Sequence, residues 1–287
     1  DNLYVGNHSS KVENFSWSLD YEGDTHFNTV QIEDPCCRQA FGGPDCDTFI
    51  QHCKLEDGND LTFPAHVQTL DIAGCPITYF SAAPSSNGNG FQPKKVILDN
   101  CQKLETISIG FSGSDYKEEL LYKNPPLIST KKCSKLKNFY LRYAVADASF
   151  FNDIEMNGGK LSLYHVSGLD NFQLKTNCEW LGVVDSQVGN FNATTALSAL
   201  KEIYFSTSTY RTATVSGLPA LTAVDMSRNL CEKISITQCN ALEKIRIDNY
   251  WEDSYNVGAL SVTNCPKLKT LYCPCIGMSS FEASGLP

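Results

Sequence analysis

The chain has no long hydrophobic run: nowhere in its 287 residues is there a stretch approaching the roughly 20 consecutive apolar residues that a membrane span requires. Positive charge is also short, with 23 Lys and Arg against 32 Asp and Glu, for a net charge of -9. That balance disfavours nucleic acid and anionic membrane surfaces as partners. No basic segment leading into an apolar one is found, so any signal peptide is expected to have been removed already. Histidine is scarce: His8, His26, His52, His66 and His165 stand apart, and none falls in an H-E-x-x-H spacing or near a G-x-S-x-G turn. There is no phosphate-binding loop and no dinucleotide fingerprint. Four acids, Asp99, Asp185, Asp225 and Asp248, merit weighing as a carboxylate pair of the kind that cleaves polysaccharides, but they do not recur on one stripe. The expectation is a protein that is not an enzyme and uses no metal or cofactor; a carbohydrate-active β-helix enzyme is the weaker alternative.

What is abundant is cysteine. Thirteen cysteines occur beside three N-glycosylation sequons, at Asn7, Asn14 and Asn192. Together they point to a secreted or cell-surface protein. Cys36, Cys37, Cys46 and Cys53 crowd into a Gly- and Pro-punctuated segment with no room for a core of its own. Two disulfides are the natural stabiliser there, and adjacent Cys36 and Cys37 rarely pair with each other. The sharper alternative is zinc, because His52 abuts Cys53, but the spacing lacks paired C-x-x-C arms. Cys75, Cys101, Cys133, Cys239 and Cys265 behave differently: each recurs in one slot of an internal repeat, a slot read as filled by Val166 and Leu218 elsewhere. That substitution pattern suits small buried thiols packed in a ladder. Cys178 and Cys231 stand alone, and Cys273 and Cys275 flank Pro274.

The repeat decides the architecture. It stands most plainly as L-S-V-T-N-C-P-K-L at 260–268, I-S-I-T-Q-C-N-A-L at 234–242 and V-I-L-D-N-C-Q-K-L at 96–104. Alternation with a period of two marks two short strands per coil, each with one buried face. One set reads Leu260-x-Val262, Ile234-x-Ile236, Ala213-x-Val215, Leu161-x-Leu163 and Leu70-x-Ile72. The other reads Leu271-x-Cys273, Ile245-x-Ile247, Val224-x-Met226, Ile203-x-Phe205, Phe172-x-Leu174, Phe139-x-Leu141 and Ile107-x-Ile109. Successive coils must climb in one direction, so strands pair in parallel with their equivalents. Insertions are expected near 110–127, 144–160, 186–199 and 248–257.

Val257-x-x-Leu260-x-Val262-x-x-Cys265-x-x-Leu268 resembles the cysteine-containing leucine-rich repeat, and L-T-A-V-D-M-S-R-N at 221–229 resembles the same repeat with asparagine in the cysteine slot. C-S-K-L-K-N-F-Y-L at 133–141 and C-N-A-L-E-K-I-R-I at 239–247 are similar to the irregular BspA-like class; G-A-L-S-V-T-N-C-P-K-L at 258–268 is similar to receptor L-domains. The resemblance covers residues 67–287 and implies a mainly β, right-handed parallel solenoid of about eight to nine irregular coils with little helix. Residues 1–66 would form an N-terminal strand and a cysteine-rich, disulfide-containing cap. Within them Phe15-Ser16-Trp17-Ser18-Leu19-Asp20-Tyr21 alternates as a strand does, suited to covering the first coil or to donation to a neighbouring molecule. The sequence stops at Ser284-Gly285-Leu286-Pro287, matching Ser216-Gly217-Leu218-Pro219, as though cut within a coil.

Function is expected on the surface. The middle residues of the second strand set, Ser108, Tyr140, Gln173, Tyr204, Asp225, Arg246 and Tyr272, would align as an outward ladder flanked by Lys137, Lys201 and Lys269. Tyrosine and arginine favour recognition, so Tyr140, Tyr204, Asp225, Arg246 and Tyr272 are the candidate binding residues for a protein or glycan ligand. Tyrosine is also simply a good strand former on a wet face. The alternative to ligand recognition is a structural extracellular protein whose copies stack head to tail into filaments.

Overall fold

Buried aliphatic side chains at alternate positions, separated by tight turns, build the described residues into short, mostly parallel strands. The computed structural model describes residues 73–74, 77–82, 94–111, 121–174, 176–195, 197–248, 257–274 and 278–287 in full, and the backbone alone of six short strands before residue 73. The Cys36, Cys37, Cys46 and Cys53 cluster, Cys75, and the sequon residue Asn7 lie outside the described residues; Asn14 is described by its backbone only. The chain divides into two units, one of residues 1–144 with 153–157 and one of 145–152 with 158–287.

In the first unit β1 (Asn2–Tyr4), β2 (Asn14–Leu19), β3 (Thr25–His26), β4 (Leu55–Glu56), β5 (Asp60–Leu61) and β6 (Thr69–Asp71) precede the well-formed coils. These follow as β7 (Tyr79–Ala82), β8 (Lys95–Ile97), β9 (Thr106–Gly110), β10 (Leu127–Ser129) and β11 (Asn138–Val145). One parallel sheet runs β1-β6-β8-β10, and β2 extends the β7-β9-β11 set, with β3 antiparallel to β2 and β4 with β5 a separate hairpin. Residues 15–19 of the alternating segment thus lie in strand β2, beside β7 in register Phe15↔Phe80, and residues 20–21 lie outside the described residues. The cysteine slot has a local cause. Asn100 (φ 61°) and Lys132 (φ 63°) turn the backbone left-handed, and the next residue, Cys101 or Cys133, drops inward. Its carbonyl then accepts the N–H of Leu104 or Leu136, so cysteine and leucine three residues on enter the core together.

The second unit is a parallel β-solenoid of about six turns, with one short 3-10 helix among its described residues, Ala148–Phe151, whose Phe150 and Phe151 are buried. Its first side stacks β12 (Lys160–Ser167), β14 (Trp180–Val184), β16 (Glu202–Ser206), β18 (Ala223–Ser227), β20 (Lys244–Arg246) and β22 (Thr270–Tyr272). Its second side stacks β13 (Phe172–Gln173), β15 (Gln187–Ala193), β17 (Thr209–Ser216), β19 (Leu230–Thr237), β21 (Val257–Thr263) and β23 (Ser280–Ser284). Left-handed residues His165, Asp185, Thr207 and Arg228 make the corner between the two sides. Gly217, Gln238, Asn264 and Gly285 make the corner that follows. At Gly217 (φ 66°) a Cβ would also come 2.6 Å from Thr195 Cγ2, so both conformation and space call for glycine.

The alternation changes phase in the middle of the second side. Pairing runs Val188↔Tyr210↔Cys231↔Val257, then resumes at Asn190↔Thr212↔Lys233↔Ala259, leaving Gly189, Arg211, Glu232 and Gly258 unpaired. At this point two consecutive residues face outward in each coil, and the strand bends as a bulged strand does. Inside, rings stack from coil to coil: Phe151 to Phe172 at 5.1 Å, Phe172 to Phe191 at 5.9 Å and Phe191 to Phe205 at 4.9 Å between centroids. Where Ala213 takes the position of Phe191, Phe205 enlarges the opposite strand of the same coil.

Several expectations are corrected. Leu161-x-Leu163 belongs to the first side and Phe172-x-Leu174 to the second, the reverse of the strand sets read by spacing. The cause is β12, whose length comes from passing through the His165 corner, so its L-S-L imitates the L-S-V of β21. Val166 is not in the cysteine slot; it follows the His165 corner, while Leu197, Leu218, Cys239 and Cys265 occupy the slot. The insertion read at 186–199 is largely strand β15.

Candidate functional site

The outer face of the first side in the second unit is built by strand alternation. Inward residues such as Leu181, Ile203, Val224 and Ile245 are buried, so their neighbours project outward. The central outward column runs Ser162↔Gly182↔Tyr204↔Asp225↔Arg246↔Tyr272, one residue per coil. Four of the five candidate binding residues, Tyr204, Asp225, Arg246 and Tyr272, are therefore adjacent rungs of one column. Tyr140 lies in the first unit, paired with Ser108 and capped by the Arg142 guanidinium 4.6 Å above its ring. Gln173 leaves the ladder: it pairs with Asn192 on the second side, because Phe172-x-Leu174 belongs there.

Sequence reasoning missed the largest group on this face. Trp180 lies on the neighbouring column, between Lys160 and Glu202. Its indole lies over Gly182, where a Cβ would stand 2.0 Å from Trp180 Cη2. The ring is within 18° of parallel to Tyr204 at 6.4 Å, and Lys160 Nζ sits 5.9 Å from its centroid. The available signal was Trp-x-Gly within one strand: a bulky aromatic two positions from a residue with no side chain to obstruct it. Tyr204 is 37% exposed and Tyr272 49%, so neither ring serves the core. Trp180, Glu202, Tyr204, Asp225, Lys244 and Arg246 line a shallow depression of about 430 Å³.

Its charges are held in place. Arg246 Nη2 donates to Asp248 Oδ2 at 3.0 Å, and Nη1 lies 3.9 Å from Asp225 Oδ2. The bond with Asp248, then the charge of Asp225, raises the guanidinium's pKa further. Asp225 Oδ1 in turn accepts from the Ser227 hydroxyl at 2.6 Å and its N–H at 3.2 Å. Beside the face, Lys201 pairs with Glu179 at 3.2 Å and Lys269 with Glu243 at 2.9 Å; Lys137 lies in the first unit. The other acids weighed for chemistry are also engaged: Asp185 with His165 at 3.1 Å, and Asp99 with the Ser129 hydroxyl at 2.7 Å.

The second side differs. Beyond the phase change its outward columns are short and hydroxyl-rich, among them Asn192↔Thr214↔Ser235↔Ser261 and Thr237↔Thr263. Asn192, the one sequon asparagine whose side chain is described, is half-buried there. A wider depression of about 710 Å³ follows the phase change, with Asp170, Gln187, Arg211, Leu230 and Glu232 on its walls.

The cysteines are chemically quiet. Cys133, Cys178, Cys231, Cys239 and Cys265 are free thiols, all of them buried, and Cys101 is buried as well. Burial pushes the Cys133 and Cys239 thiols up to about 11 and those of Cys178 and Cys231 up to about 12. No group of ligand-type side chains among the described residues is arranged to hold a metal ion, and no described helix is long and apolar enough to cross a membrane.

Together these features define a parallel β-solenoid carrying an aromatic and charge-paired outer face. No protein family, curated protein or solved structure matches the chain.

Proposed function

We propose that this chain is a secreted or cell-surface recognition module, without enzymatic activity, that binds a protein or glycan ligand on the outer face of the first side. In this reading the solenoid is right-handed and of leucine-rich-repeat type, and Cys36, Cys37, Cys46 and Cys53 form two disulfides in an N-terminal cap. The observation that carries the reading is the run of Tyr204, Asp225, Arg246 and Tyr272 on consecutive coils beside the half-buried Trp180 plate. Solvent-facing aromatics and a preoriented arginine are the side chains that dominate binding energy at recognition surfaces. The position of Asn192 on the other side supports a glycoprotein whose own glycan leaves this face clear.

The test is biolayer interferometry against immobilised extracellular-matrix proteins and a panel of glycans. Wild-type chain should bind at least one member; the Tyr204→Ser, Arg246→Ser, Tyr272→Ser variant should bind that member at least about tenfold more weakly, a loss of about 1.4 kcal/mol, with an unchanged melting temperature. Equal binding by the variant, or no binding by the wild type, overturns the reading. Expression in a eukaryotic secretory host should give a mass decrease on glycosidase treatment that Asn192→Gln reduces by one glycan.

A further inference from the structure

We infer that the Trp180–Tyr204 depression is a subsite for a neutral oligosaccharide, with Tyr272 as a second platform for the same chain of sugars. The inference rests on the recognition reading of the first side. It follows from shape, charge and hydrogen-bonding capacity. The Trp180 indole is laid against the sheet by the missing side chain at Gly182 and runs nearly parallel to Tyr204. The two rings offer a broad apolar surface with polar groups around it. The C–H face of a pyranose ring matches such a surface, while its hydroxyls reach outward to acceptors and donors.

The polar groups are in place. Glu202, Asp225, Lys244 and Arg246 share the depression with the two rings. A carboxylate takes two hydroxyl donors side by side, and a guanidinium fixed by Asp248 presents donors without a further ordering cost. Net charge on this face is balanced: Lys160, Lys244 and Arg246 stand with Glu202, Asp225 and Asp248. A sulfated or uronic polymer, or a strongly charged peptide, would gain nothing from such a face by electrostatic steering. Nor is there a strand edge for an extended peptide to join, because β14, β16, β18 and β20 each have neighbours on both sides. Tyr272 lies three rungs from Tyr204 in the same column. Three strand spacings are about 14 Å, so two aromatic platforms mark an oligosaccharide running from coil to coil, with Asp225 and Arg246 between them.

Tryptophan emission reads the site directly. Wild-type chain is titrated with tetrasaccharides of β-1,4-glucose, β-1,3-glucose, N-acetylglucosamine and mannose, and with heparin and galacturonate tetrasaccharides as charged controls. At least one neutral tetrasaccharide should shift the emission with a Kd below about 1 mM, roughly 4 kcal/mol of binding. Trp180→Phe should abolish the shift, and Tyr204→Ser should weaken binding about tenfold. Gly182→Val, which displaces the indole without touching a polar group, should do the same. Tyr272→Ser should weaken the tetrasaccharide but not the matching disaccharide. Binding of the charged controls alone, or neutral binding that survives Trp180→Ala unchanged when followed by isothermal titration calorimetry, overturns the inference. If no neutral sugar binds while an immobilised protein is lost in the Tyr204 and Tyr272 variants, the glycan inference fails and the recognition face stands. If neither ligand type responds to these variants, both fail.

Discussion

At the level of single residues, the left-handed corners need polar partners inside the coil. Val166 N–H donates to Ser186 Oγ at 3.0 Å, Ser186 N–H to Ser208 Oγ at 3.2 Å and Ser208 N–H to Asn229 Oδ1 at 2.9 Å. Asn229 Nδ2 then donates to the Phe205 carbonyl at 3.1 Å. Asn229 is fully buried, so Asn229→Ala strands an N–H and a carbonyl at once and should cost about 2–4 kcal/mol. Urea unfolding with an unchanged slope is the check, and Asn229→Ser, the residue used at the two preceding corners, should cost less. The cysteine ladder gives a pH signature. Burial raises the Cys133 and Cys239 thiols to about 11 from an ordinary value near 9.0. A raised folded-state pKa means the contribution is complete below pH 9 and is lost as pH rises toward 11. Stability should therefore fall above about pH 9, and replacing both thiols by alanine should flatten that fall. Reaction of either native thiol with a thiol reagent at neutral pH would contradict this burial.

At the level of the element, β15, β17, β19 and β21 are each two strands in opposite phase joined at one residue. Deleting Glu232 would remove the extra residue from β19, forcing either Cys231 or the Ile234 and Ile236 pair out of the core, since a one-residue slip exchanges the two faces. The deletion should abolish the cooperative thermal transition seen by circular dichroism. Glu232→Ala, which keeps the backbone, should stay within about 0.5 kcal/mol of wild type; similar behaviour of the two variants would rule out a phase-setting role. The same feature explains what was legible in the sequence. Ile203-x-Phe205, Val224-x-Met226 and Ile245-x-Ile247 lie between regular turns, and their coil spacing, hence the Tyr204 to Arg246 column, could be read from residue types alone. Strand β15 was obscured because Gly189 and Asn190 break its alternation, and β12 because an intact L-S-L sits before a corner rather than after a bend. Trp180 was passed over for a related reason: its orientation depends on Gly182, a contact within the face that periodicity does not encode.

At the level of the whole molecule, stability should follow contact between coils, because in a stacked array each coil contacts only its neighbours. In the second unit, Phe205 belongs to the third of six first-side strands, and its ring touches Phe191 at 4.9 Å and Tyr210 at 5.4 Å. Removing it leaves a cavity where the core column narrows to Ala213, a loss of about 3–5 kcal/mol. In a one-dimensional array that loss is local. Hydrogen exchange followed by mass spectrometry on Phe205→Ala should show protection falling most in β16 and β17, less in β14, β15, β18 and β19, and least in β20 and β21. The recognition column crosses the same gradient. Tyr272, four coils from Trp180, should keep its ordered surroundings in this variant while the Trp180–Tyr204 plates loosen, so a tetrasaccharide would weaken more than its contact with Tyr272 alone explains. An equal loss of protection in all six coils would instead mean that the unit folds as a single cooperative block, with both platforms rising and falling together.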